Sequence, residues 1–90
     1  MNAQHDFNLI KGRFSVNEAE LLLRELAQAK IQHHMRRLSW QDNAEEDIKF
    51  LEKRIREIES GLRDALQYIK ISADGSGQVD IDGMVTIRTV

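Results

Sequence analysis

Residues 48–69, IKFLEKRIREIESGLRDALQYI, place Ile48, Leu51, Ile55, Ile58, Leu62, Ala65 and Ile69 at successive steps of 3, 4, 3, 4, 3 and 4. That spacing is a heptad seam, because an α-helix returns to the same face after three or four residues. Opposite charges four residues apart surround it: Glu45 with Lys49, Glu52 with Arg56, Lys53 with Glu57, and Glu59 with Arg63. Each such pair contributes only about 0.2–0.5 kcal/mol, but together they mark the outer face of the helix as wet. Acidic Glu45, Glu46 and Asp47 suit the positive end of the helix dipole. The pattern predicts a helix over 44–71.

Upstream, Ser15-Val16-Asn17-Glu18 has the form of a capping box, with Phe14 and Ala19 placed as a weak hydrophobic staple. Ala19, Leu22, Leu23, Leu26, Ala27, Ile31, Met35 and Leu38 then follow at steps of one, three and four, which predicts a first helix over 16–38. Ser39 to Asn43 is short and polar, with competing caps at Asp42 and Asn43. A connection this short returns the second helix antiparallel beside the first. Apolar residues at Leu21, Leu22, Leu23 and Leu26 on the first helix, and at Leu66 and Tyr68 on the second, extend beyond one stripe. Burying a leucine is worth roughly 1.5–3 kcal/mol, so leaving several in water is a considerable loss. The expectation is therefore a mainly α chain: an antiparallel, coiled-coil-like helical hairpin that pairs with a second copy as a four-helix-bundle dimer. Its packing seam is Leu22, Leu23, Leu26, Ile48, Leu51, Ile55, Ile58, Leu62, Leu66 and Ile69. The alternative is that the second helix's seam packs only on the first helix of its own chain.

Short β segments are expected at both ends of this hairpin. Residues 6–14, DFNLIKGRF, read as a strand and turn; residues 78–90, rich in β-branched side chains, read as a second β segment. Asp82-Gly83 between two apolar runs is a type I′ hairpin signal, yet such a turn sets Ile81 and Met84 on one face and Val85 and Ile87 on the other. Both faces are then half buried, or the segment pairs with residues 6–10 instead. Two strands alone are marginal in water, so a third partner, from the N-terminus or another chain, is expected.

At 90 residues, with 41% apolar and 31% charged residues and a net charge of −2, the whole chain reads as one globular domain. It contains no cysteine, which excludes disulfides and thiolate metal sites, and no proline, which suits long helices. No run of about 18 apolar residues offers a membrane span, and MNAQHDFNLI lacks the character of a secretion signal, so a cytoplasmic protein is expected. No phosphate loop, dinucleotide fingerprint or nucleophile elbow occurs, so no catalytic residue, cofactor or metal is expected. The acidic stretch from Asp74 to Gly83 fails as a calcium loop: counted from Asp74 or from Asp80, a valine falls where the loop needs glycine. Adjacent His33 and His34 lie about 100° apart on a helix, which is not the i, i+4 metal pair. Lys30, His33, Arg36 and Arg37 form the one basic flank, a candidate phosphate-contacting surface. These features point first to a non-enzymatic, self-associating interaction or scaffolding module with an unidentified protein partner. A small nucleic-acid-binding regulator using 30–37 is the second reading.

Overall fold

The order of elements is β1 (Gln4–Ser15), α1 (Val16–Trp40), α2 (Glu45–Ser72) and β2 (Gln78–Arg88) in a computed structural model. It describes residues 3–40, 45–73 and 77–90, with the side chains of 38–40 set aside. The expected caps at Asp42 and Asn43, and the loop positions at Asp74 and Ser76, lie outside the described residues. The helices hold 25 and 28 residues and the strands 12 and 11.

The strands pair with each other, antiparallel, from Ser15 opposite Gln78 to Gln4 opposite Arg88. This overturns the mainly α, four-helix-bundle expectation. The β segments are not short appendages; they form a two-stranded ribbon whose length, at about 3.3 Å per residue, rivals that of the helices. The Asp82-Gly83 hairpin does not form, and the other expectation, that this segment pairs with residues 6–10, is the one met. β2 runs straight through both residues, with Asp82 opposite Lys11 and Gly83 opposite Ile10. Turn chemistry at a dipeptide is a local preference, and here pairing with a distant segment overrides it.

The register breaks once, between Asn8 and Ile10, leaving Leu9 as the extra residue of a bulge. That residue decides the chemistry of both faces. Directly opposed residues share a face in an antiparallel pair. Phe14, Ile10 and Phe7 therefore lie with Val79, Ile81, Gly83, Val85 and Ile87. Without the bulge Phe7 would fall with Lys11 and Arg13. The opposite face is mostly polar, with Met84 an exposed apolar exception: Arg13 Nε donates to Asp80 Oδ1 at 2.8 Å, and Nη2 donates to Oδ2 at 3.3 Å. Hydrogen bonding to Arg13 holds the Asp80 carboxyl below its ordinary pKa, but both groups stand in water, where such pairs add little to stability.

One knot of backbone hydrogen bonds ties ribbon to helices. Ala73 N–H donates to Ile69 C=O at 3.0 Å and Gly77 N–H to Ala73 C=O at 3.1 Å. Gly77 sits at φ +69°, a conformation that glycine adopts without strain. Its own carbonyl then accepts from Val16 N–H at 3.1 Å, satisfying a donor that the first turn of α1 leaves free. Beside it, Glu18 N–H donates to Ser15 Oγ at 3.2 Å, and Ser15 Oγ donates to Glu18 Oε1 at 2.9 Å. The N-terminal cap is thus present, with the Glu18 carboxylate held by the Ser15 hydroxyl.

The core sits at this junction. Buried Ala19, Ile69 and Ala73 cluster there, and Phe14, Val16, Leu23, Val79 and Ile81 pack around them. Among the described residues no large side chain is fully sealed from solvent. The helices, about 38 and 42 Å long at 1.5 Å per residue, and a ribbon of about 35 Å cannot lie end to end within extents of 50 × 37 × 15 Å. They form two arms of a flat angle. Its radius of gyration is 16.3 Å, against about 12 Å for a compact domain of this length. No helix among the described residues is long and apolar enough to cross a membrane.

Candidate interaction surface

The seam of α2 runs along the side toward α1. Leu51 and Ile69 are buried, Ile55, Ile58, Leu62 and Leu66 are half-buried, and Ile48 is exposed near the start of the helix. On α1, Leu22, Leu23 and Leu26 are half-buried. Leu62 shares a shallow cleft of about 380 Å³ with Ala27 and Ile31 of α1, and Leu23 meets Ile69 at the core cluster. Two of the expected seam positions, Leu62 and Leu23, thus lie beside residues of the same chain. Gly61 stands outside this contact, since a Cβ added there would meet no atom within 4 Å.

A second apolar surface runs from the junction along the ribbon. Where β1 enters α1, Phe14, Leu21 and Leu22 line a groove of about 240 Å³ edged by Glu18 and Glu25. Beyond it the apolar face of the ribbon continues through Ile10, Val85, Phe7 and Ile87. Phe7 is 43% and Ile87 51% exposed, while Ile10 and Val85 are half-buried. None of these four stood in the expected seam. The signal for β2 was present, because 79, 81, 83, 85 and 87 alternate cleanly as one strand face. Phe7 was hidden, because only the bulge brings it onto the same side as Ile10.

The basic flank is exposed: Lys30, His33, Arg36 and Arg37 all face solvent at least in part. His34, between them, is only 8% exposed, and neither ring nitrogen has a hydrogen-bond partner among the described residues. Desolvation first, then the positive fields of Lys30, His33, Arg54 and Arg37, holds its pKa below the ordinary 6.5. Arg54 of α2 thereby joins the flank, although its Nη1 also contacts Glu57 Oε2 at 3.3 Å. Among the described residues no group of three or more His, Asp or Glu side chains is arranged to hold a metal ion.

What the arrangement offers chemically is apolar contact area on a thin frame. Compared with protein-family models, with curated proteins and with solved structures, the chain matches none.

Proposed function

We propose that this chain is a non-enzymatic interaction module of the cytoplasm that self-associates and presents the assembled form to a further protein. One observation carries the reading. The chain exposes 7368 Å², whereas a compact monomer of 10.4 kDa exposes about 5,400 Å². The surplus includes large apolar side chains such as Leu21, Phe50, Tyr68 and Ile71. A single copy with so little sealed interior gains limited hydrophobic stabilisation, and association supplies the remainder. Twofold pairing is the commonest closed solution. Light scattering on a sizing column tests this: a mass near twice 10.4 kDa at micromolar concentration is expected, and a constant 10.4 kDa contradicts it.

A second reading, nucleic-acid binding by the basic flank, is favoured by the positive fields that Lys30, His33, Arg54 and Arg37 together set at His34. So few phosphate contacts give weak binding that falls steeply with salt. A low-salt gel shift that disappears when Arg36 and Arg37 are both changed to alanine supports it; no shift, or one indifferent to those changes, ends it.

A further inference from the structure

The apolar face of the ribbon changes its surroundings at Gly83. On the junction side Phe14, Val79 and Ile81 lie under the helices. On the far side Phe7 and Ile87 are exposed and Ile10 and Val85 half-buried, outside the core cluster, while the ladder continues to Gln4 and Arg88 and one further bond, from Thr89 N–H to Ala3 C=O, at 3.1 Å. A two-stranded ribbon with no covering layer is marginal in water. The bulge at Leu9 nevertheless brings Phe7 and Ile10 onto one face with Val85 and Ile87, with His5 opposite Ile87 at its far end. Because the helices pack on that same face at the junction, the far half and the Phe14–Leu21–Leu22 groove border one concave surface.

We propose, resting on the self-association described above, that two copies embrace through these concave sides. Each ribbon lays Phe7, Ile10, Val85 and Ile87 against the groove at Phe14, Leu21 and Leu22 of the other copy. The area argues for a second copy as occupant. The whole chain exposes about 2,000 Å² more than a compact monomer of its mass, part of it on α2, against the roughly 800 Å² per partner that a standard interface buries. A twofold embrace also uses each patch twice, with ribbon on groove and groove on ribbon, so that it closes without leaving a copy of either patch free.

Sedimentation of the full chain and three variants tests it: Phe7→Glu with Ile87→Glu, Leu21→Glu, and Phe50→Glu as a control on exposed α2 surface. A dimeric wild type and control, with both concave-side variants monomeric and still helical by circular dichroism, is the expected result. A dimer that only Phe50→Glu dissociates overturns the embrace while leaving self-association standing; a monomeric wild type overturns both. Should a charged variant unfold, proximity gives the answer instead. The chain has no cysteine, so a Phe7→Cys chain mixed with a Leu21→Cys chain should be joined by a short bifunctional maleimide, and a Phe7→Cys chain mixed with Phe50→Cys should not. Absence of the first cross-link in a dimeric sample overturns the proposal.

Discussion

The two halves of the ribbon carry the same kinds of residue on one face and stand in different surroundings. Near the helices, Phe14, Val79 and Ile81 rest on Ala19, Ile69 and Ala73, and the backbone is knotted through Gly77. Away from them, Phe7, Ile10, Val85 and Ile87 repeat the alternation outside that core, with Phe7 and Ile87 exposed and Ile10 and Val85 half-buried. Apolar patterning on a strand thus specifies that a face is to be covered, and leaves open which molecule covers it. The junction half explains why a single copy folds. The far half is what the proposed second copy would cover.

The sharpest way to break this comparison is to truncate one residue on each side of Gly83. Ile69→Ala at the junction should cost about 2–4 kcal/mol in denaturant unfolding at any protein concentration, since Ile69 is 6% exposed. Phe7→Ala should cost less than about 1 kcal/mol in dilute protein and approach the roughly 3 kcal/mol of a buried aromatic as concentration rises. Equal, concentration-independent costs would erase the distinction between the halves.

Backbone substitutions give the next effects. Gly77→Ala forces a Cβ into a left-handed conformation and should destabilise by about 1–2 kcal/mol, measured by thermal melting. Gly83→Ala meets Ile10 only at an ordinary contact of 3.7 Å and should stay within about 0.5 kcal/mol of wild type. Gly61→Ala should stabilise by up to about 1 kcal/mol, because the helix gains propensity where nothing approaches. A loss of self-association in that variant would place a second chain against α2 instead of the concave side.

How much of this was legible depends on the range of the interactions. The α2 heptads from Ile48 to Ile69 and the Ser15 cap are local patterns, and the residues concerned do lie on a helix and at a helix start. The ribbon depends on pairing Ile10 with Gly83 across the whole helical hairpin, which was legible only as an alternative, through the awkward face count of an Asp82-Gly83 turn. Asp82-Gly83 carries the same turn propensity in a hairpin as in a continuous strand, so its neighbours misdirected the topology. The bulge is less legible still, since one unpaired leucine has no composition of its own. Nor does a leucine stripe state whose helix it faces: Leu23 and Ile69 meet within the chain, while Leu21 remains exposed.

The smallest effect is one of pH. Burial and the cations around His34 lower its pKa, so the unfolded chain binds a proton more readily than the folded one. Stability from this residue is complete above the ordinary histidine value of 6.5 and declines as pH falls through and below it. His34→Leu should flatten that part of the profile in denaturant melts recorded between about pH 5 and 8. An unchanged slope would assign the acid sensitivity elsewhere.

Amide hydrogen exchange followed against protein concentration tests the second-copy cover most directly. Protection at 4–8, 84–88 and the α1 groove at 18–25 should rise together as concentration increases, while 45–58 of α2 stays constant. Protection that is the same at every concentration in all four segments would mean that one molecule already completes its own ribbon.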